Sequence, residues 1–341
     1  MDKPRARQGS RSVSIVTADK PPGEFELIDR FFTPALESRA DVLLGVGDDA
    51  AVLRLAPHLD LVAAIDTLVA GRHFPVDAPP RSIGHRALAV NLSDLAAMGA
   101  TPAWATLALT IPSADAAWLE EFSGGLMQLA HAEGVALVGG DTTAGPLTIS
   151  VSIMGSVERG TALTRGGARA GDVLVVTGTL GDAGAGLGLV SGRLTTADAA
   201  LAAYLVDRFE YPAARVNFGR AARGIASAAM DLSDGLAGDL PKLAAASGVG
   251  ASVDIARLPL SAELQRLLPI ESARELALAA GDDYELLLAV PAARLDELSA
   301  AARRFNLMLT AIGELNPGQR VEWLRDGEPY VVTAQGYDHF R

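Results

Sequence analysis

Apolar residues along this chain recur at two spacings, and the spacing changes where prolines, glycines and acidic turns intervene. Phe25, Leu27, Ile28, Phe31 and Phe32 fall at helical intervals and predict a helix over 24–32. Short apolar runs at 42–44, 51–55 and 61–65 predict strands. After Pro79-Pro80, Leu88, Leu92, Leu95 and Met98 share one face of a helix over 82–98, with Gly99 placed to cap its end. Strands over 103–111, 135–138 and 147–155 then surround a helix over 115–133.

A polar, glycine-rich passage from Glu158 to Gly171 separates a second series. Strands are predicted over 173–177, 226–230, 251–255, 284–290 and 307–312, and helices over 236–245, 262–268 and 292–305. A glycine-rich turn over 178–188 leads into a further helix. The order mixes helices and strands without the strict alternation of a doubly wound sheet, so the expected class is α+β. No repeat of 20–50 residues and no low-complexity tract is present. At 341 residues the chain exceeds the roughly 250–300 that one core serves, which predicts two domains. Their expected limits are 23–160 and 161–341, after a flexible tail over 1–22.

The polar residues that break the pattern are largely aspartates. Gly45-Val46-Gly47-Asp48-Asp49-Ala50-Ala51 sets two adjacent carboxylates in a tight turn between apolar runs. Such neighbours repel each other and have no packing use, so a cation is the natural reason for them. Asp66 follows a strand at Ile65-Asp66-Thr67. The same theme recurs at Leu92-Ser93-Asp94-Leu95, Gly139-Gly140-Asp141-Thr142-Thr143, Asp231-Leu232-Ser233-Asp234-Gly235 and Gly281-Asp282-Asp283-Tyr284-Glu285. One acidic motif is ordinarily a turn or a cap. Six of them in apolar surroundings predict convergence on Mg²⁺ ions that hold a polyphosphate. Mg²⁺ takes only one or two carboxylates beside waters and phosphate oxygens, so several aspartates imply more than one ion. Asn91 and Asp94 lie three apart and share a helix face, which is either solvated or turned toward that site.

Charge and composition narrow the chemistry. A formal charge of −12 argues against nucleic acid, and the absence of cysteine removes disulfides, zinc–thiolate sites and thiol nucleophiles. A reduced, cytoplasmic setting fits. No run reaches the apolar length of a membrane helix, and the first residues lack the apolar segment of a secretory signal. The lysines are Lys3, Lys20 and Lys242, none after a glycine, so a GxxxxGK[ST] phosphate loop is absent. Gly45-x-Gly47-x-x-Ala50 formally fits a dinucleotide fingerprint, but its aspartates would repel a pyrophosphate and a strand follows it. The run Gly181–Gly188 offers two readings, a backbone cradle for phosphate or close packing of a helix. The five histidines are too scattered for a zinc site.

Together with Gly23-Glu24-Phe25-Glu26-Leu27-Ile28, Asp66-Thr67-Leu68-Val69 before His73-Phe74, Ala89 to Ala100, Leu163-Thr164-Arg165 and Gly336-Tyr337-Asp338-His339-Phe340, these motifs resemble the thiamine-monophosphate kinases, in the superfamily of aminoimidazole ribonucleotide synthetase. The resemblance runs from about Gly23 to the C-terminus. It implies ATP-dependent phosphorylation of thiamine monophosphate to thiamine diphosphate by direct γ-phosphoryl transfer. It also implies a homodimer whose amino-terminal domains pair strands into a shared barrel. By motif position, Asp49, Asp66, Asp94, Asp141, Asp231 and Asp234 would hold Mg²⁺, and Gly140, Asp141, Arg165 and Ser233 would meet ATP. His73, Asp282 and Tyr337 would face thiamine phosphate, and Asp94, Asp141, Arg165 and Asp231 would carry catalysis.

Ala64 and Ile65 stand where many relatives have hydroxyl residues that join the metal shell, and Asp282 stands where a Glu is frequent. Other superfamily activities are the alternatives, but selenophosphate synthetase and the hydrogenase maturation protein use cysteine or selenocysteine chemistry. The carboxy-terminal Gly-Tyr-Asp-His-Phe does not suit the purine cyclo-ligase. A catalytically silent nucleotide-binding relative is a further alternative. Thiamine monophosphate and ATP are the expected partners, with no nucleic acid and no membrane.

Overall fold

The computed structural model describes residues 24–32, 39–47, 49–332 and 336. The expected tail over 1–22 and Tyr337 lie outside the described residues. The first part runs α1 (Glu24–Phe31), β1 (Val42–Leu44), β2 (Val52–Leu53), β3 (Leu59–Val69), α2 (Pro80–Ala97), β4 (Thr101–Ile111), α3 (Ala116–Ala132), β5 (Ala136–Ala144) and β6 (Thr148–Glu158). β1 and β2 form a small antiparallel pair, and the other strands form a sheet in the order β3-β6-β4-β5. Only β4 and β5 run parallel in it.

The second part runs β7 (Asp172–Thr177), α4 (Asp182–Val190), α5 (Ala199–Glu210), α6 (Val216–Ala222), β8 (Ala228–Asp231), α7 (Leu236–Ser247) and β9 (Gly250–Asp254). It continues through α8 (Ala262–Leu267), α9 (Ile270–Ala279), β10 (Leu286–Pro291), α10 (Leu295–Arg303), β11 (Leu309–Asn316), β12 (Val321–Arg325) and β13 (Glu328–Pro329). Its seven strands lie in the order β13-β12-β9-β11-β7-β10-β8. The mixed architecture is the α+β class that the alternation of spacings predicts.

α2 organises both parts. Its buried residues run from Ser82 to Ala97 on every side, Asn91 and Ser93 included, so the polar positions of this helix do not form a solvated face. One side packs on α3, where a Cβ at Gly84 would stand 2.0 Å from the Phe122 carbonyl oxygen and one at Gly125 2.0 Å from that of Arg81. Only glycine admits that approach. Another side reaches the second sheet, because one apolar cluster joins Leu92 and Leu95 with Phe218, Leu286 and Leu288. Gly99 takes φ 64° just past the helix, as the cap reading requires.

Among the element limits that differ from the sequence pattern, two matter for the site. Asp66 does not end its strand but sits inside β3, which continues to Val69. Gly139, Gly140 and Asp141 likewise continue β5 instead of closing it, past a register shift opposite Ala105 and Thr106. Extended pairing with β4 satisfies backbone groups there that a turn would leave to water. The sequence pattern gave no sign of α5, α6, α9, β12 or β13.

Candidate functional site

Four of the six expected metal aspartates meet at one cavity of about 740 Å³ between the first sheet, α2 and the loops around β8 and β10. Asp66 reaches it from β3. Its register partner is Val151, which is buried, so its side chain leaves the sheet on the α2 side. The Asp66 amide donates to Asn91 Oδ1 at 3.1 Å while Asn91 Nδ2 donates to the Ala87 carbonyl at 3.0 Å, which ties strand to helix. Val90 and Asp94 line the cavity one helical turn apart.

Asp231 arrives at the end of β8, where Ser93 Oγ donates to its Oδ2 at 2.8 Å. The loop after it is shaped by Asp239, which is 1% exposed. Asp239 Oδ2 accepts the amides of Ser233 and Asp234 at 3.0 and 2.9 Å. Lys242 Nζ bridges Asp234 Oδ2 at 2.6 Å and Asp239 Oδ1 at 2.9 Å. His73 and Arg72 lie on the loop after β3 and line the same cavity; His73 Nδ1 accepts the Val69 amide at 2.9 Å. Asp282 and Tyr284 close the far wall with φ of 63° and 48°.

Burial sets the electrostatics. It raises the Asp94 carboxyl to about 8, helped by the charges of Asp231 and Asp66 and opposed by Arg165. Burial raises Asp231 to about 6, with the Ser93 hydrogen bond opposing it and Asp239 and Asp66 adding to it. Asp66 is raised by burial and by Asp234. Carboxylates crowded in this way repel one another, and a divalent cation would relieve that repulsion. Among the described residues, no group of three or more His, Asp or Glu side chains is arranged to hold a metal ion on its own. The carboxylate oxygens of Asp66, Asp94, Asp231 and Asp234 around one cavity are the hard donors that Mg²⁺ takes one or two at a time beside phosphate oxygens and waters.

Asp49, Gly140 and Asp141 line a different cavity, of about 790 Å³, together with Ile28 and Phe32. Asp66, Val151, Leu107 and Gly140 stand in register across the first sheet. Three strand spacings separate the ends of that row, about 14 Å. Asp141 pairs with exposed Ala108, between buried Leu107 and Leu109, so it projects from the face opposite Asp66. The chain thus divides the six aspartates into a group of four and a group of two. Arg165 lies exposed on the connection between the two sheets and outside both cavity linings. Ser247 Oγ holds its carbonyl at 2.7 Å, and its charge acts on Asp94. Ser233 and Asp282 are with the group of four.

The glycine-rich run resolves in favour of packing. The Gly181 amide at the start of α4 already donates to Asp283 Oδ2 at 2.8 Å, so an internal carboxylate occupies the place a phosphate would take. A Cβ at Gly184 would stand 2.2 Å from that of Ala280, and one at Gly186 2.1 Å from the Leu205 carbonyl oxygen. Residues with no sequence assignment complete the site: Arg86, Ser93, Asp239, Lys242 and Tyr284. For Arg86 a signal existed, since it precedes Asp94 by two helical turns and so shares its face.

The first part of the chain, residues 47–157, matches the AIR synthase related protein N-terminal domain, and residues 169–324 match the corresponding C-terminal domain. Thiamine-monophosphate kinase of Escherichia coli (strain K12) is 48% identical over 319 residues, covering 93% of this chain and 98% of that protein. The crystal structure of thiamine-monophosphate kinase from Stenotrophomonas maltophilia K279a aligns with a TM-score of 0.83 at 47% identity, over 89% of this chain and 96% of that one. The structure of AaThiL complexed with AMPPCP and TMP aligns with a TM-score of 0.74 at 33% identity, over 84% and 89%. By its two domains and its near-complete match to these relatives, the chain belongs to the thiamine-monophosphate kinase family.

Proposed function

We propose that this chain transfers the γ-phosphoryl group of ATP to the phosphate of thiamine monophosphate, giving thiamine diphosphate and ADP in thiamine diphosphate biosynthesis. The observation that carries the proposal is the meeting of Asp66, Asp94, Asp231 and Asp234 on a cavity that also presents Arg72 and His73. These four carboxylates would hold Mg²⁺ at that cavity, and Asp49 and Asp141 would do so at the second. Bound Mg²⁺ supplies charge neutralisation between two anionic substrates and along the transferring phosphoryl group.

The protein's own part is positioning. Gly140, Asp141, Arg165 and Ser233 serve ATP, with Arg165 offering a fixed cationic fork. His73, Asp282 and Tyr337 serve thiamine monophosphate. Asp94, Asp141, Arg165 and Asp231 form the catalytic set. The acceptor is a phosphate monoester with a second pKa of about 6, so its attacking oxygen is already ionised at neutral pH and no general base is required. Asn91, Ser93 and Asp239 fix the backbone or carboxylates around the acceptor and donor, which is what phosphoryl transfer asks of a protein.

A cytoplasmic homodimer is part of the proposal. Leu61 and Ile65, 53% and 65% exposed, project from the outer face of edge strand β3, and Leu43, Leu44 and Val52 are also exposed on β1 and β2. An unpaired edge with apolar side chains invites strand pairing with a second copy. Among the described residues, no helix is long and apolar enough to cross a membrane.

The test is an assay of purified protein with ATP, thiamine monophosphate and Mg²⁺, with free thiamine and EDTA as controls. Thiamine diphosphate is expected only with the monophosphate and the metal. Its absence, with Mg·ATP still bound, would overturn the assignment in favour of a silent relative.

A further inference from the structure

Behind the Asp282 and Tyr284 wall of the acidic cavity lies a buried cation, Arg86. Arg86, Val90 and Asp94 follow one another at four-residue steps on α2, and Val90 and Asp94 line the cavity. Arg86 itself is 2% exposed. Its Nη2 donates to Asp282 Oδ1, and its Nη1 donates to the Phe209 carbonyl at 2.5 Å. The guanidinium carbon lies 4.5 Å from the Phe209 ring centre and 5.7 Å from that of Tyr284. Arg86 Nε, also buried, has no hydrogen-bond partner. A buried guanidinium costs desolvation that an apolar side chain of similar size would avoid, so packing alone does not account for it.

Its partner is held in an uncommon conformation. Asp282 and Tyr284 both take left-handed backbone angles, which residues with a Cβ keep only when their surroundings over-determine them. The Asp282 amide donates to the Ser233 carbonyl at 2.9 Å and the Tyr284 amide to that of Leu232 at 2.9 Å, fixing the segment against the loop that carries Asp234. Asp283 turns the other way, to the Gly181 amide. The strained backbone thus brings Asp282 to the cavity that Asp231 and Asp234 also line, beside the loop that carries them. A carboxylate there has two possible uses, as one more ligand in the cation cluster or as a recognition group for substrate. Arg86 engages Oδ1 from behind and decides between them.

We propose that Arg86 is a positioning residue for thiamine monophosphate, acting through Asp282. It holds the carboxylate away from the cation cluster and presents Oδ2 to the ring half of the substrate, whose thiazolium charge and amino group suit an anionic acceptor. The inference rests on the assignment of Asp282 to the substrate side of the site. Arg86 is buried and outside the cavity lining, with Asp282 between them, so its effect falls on one substrate and not the other.

Steady-state kinetics with each substrate varied in turn, on Arg86→Gln, Arg86→Lys, Asp282→Asn and Arg86→Gln/Asp282→Asn, test it. Loss of a charge-assisted hydrogen bond predicts that Arg86→Gln raises KM for thiamine monophosphate about tenfold, with KM for ATP inside about twofold. Arg86→Lys restores part of the loss, because it keeps the charge but not the fork. The double variant matches Asp282→Asn within about twofold, as expected for residues acting in series. Equal rises in both KM values, or effects that multiply in the double variant, overturn the proposal. Asp282→Asn with unchanged KM for thiamine monophosphate overturns the underlying assignment. A sensitive Asp282→Asn beside an inert Arg86→Gln overturns the role of Arg86 alone. If Arg86→Gln fails to fold, Arg86→Lys and the double variant, which buries no unpaired charge, decide by the same comparisons.

Discussion

Asp94→Asn separates what the acidic cluster does for function from what it costs the fold. The Asp94 carboxyl rises from the ordinary 3.8 to about 8 in the folded chain, chiefly through burial. The native state therefore holds a proton that the unfolded chain has already released across that interval. Stability from this group is fully present below pH about 4 and is lost as pH rises toward about 8, at a little over ~1 kcal/mol per pH unit. Across the whole window the loss is roughly 6 kcal/mol, a large fraction of a typical domain's stability. Asparagine keeps the shape and never ionises, so it removes this slope. Urea unfolding of metal-free protein from pH 5 to pH 8 is the assay. Wild type is expected to weaken steadily, and Asp94→Asn to weaken less and become the more stable of the two at pH 8. Saturating Mg²⁺ with an ATP analogue narrows the gap by stabilising wild type, roughly 3 kcal/mol at a hundred times Kd. Turnover of the variant falls at least about a hundredfold. Parallel pH slopes for the two proteins, or a variant less stable at pH 8, would refute the account of a carboxylate crowded against Asp66 and Asp231.

Three further outcomes follow from other parts of the structure. Gly186→Ala forces a Cβ against the Leu205 carbonyl and is expected to cost about 1–3 kcal/mol in thermal unfolding, with KM for ATP unchanged, whereas a phosphate cradle would show the loss in KM. Asp239→Ala leaves the Ser233 and Asp234 amides without their acceptor, at about 1–3 kcal/mol, and is expected to raise the Mg²⁺ concentration needed for a ligand-induced melting shift. Ile65→Glu places a charge on the exposed face of edge strand β3 and is expected to yield monomers by sedimentation velocity, with unfolding of the monomer little changed.

The sequence by itself determined the class of fold, the helix over α2 with its glycine cap, and the identity of the acidic motifs, because each depends on neighbours a few residues apart. Hydrophobic spacing reports which way a segment faces, and an aspartate amid apolar residues keeps its oddity in any fold. The motif set also carried the family, which the relatives and the matched domains bear out.

Only the tertiary structure decided how those aspartates are shared out. A strand turns successive side chains to opposite faces, so the placement of Asp66 and Asp141 on two sides of one sheet depends on register with β6 and β4, which no local pattern states. Similarly, Gly281–Glu285 reads as one acidic motif, yet its carboxylates part company. Asp282 goes to the cavity, Asp283 to the start of α4, and Glu285 to a buried network with Thr177 at 2.6 Å, Arg208 at 3.0 Å and Arg215 at 2.7 Å. Arg86 meets Asp282 across 196 positions of sequence. Ion pairs closed over such distances leave no spacing to read, because the fold and not the chain makes the partners neighbours.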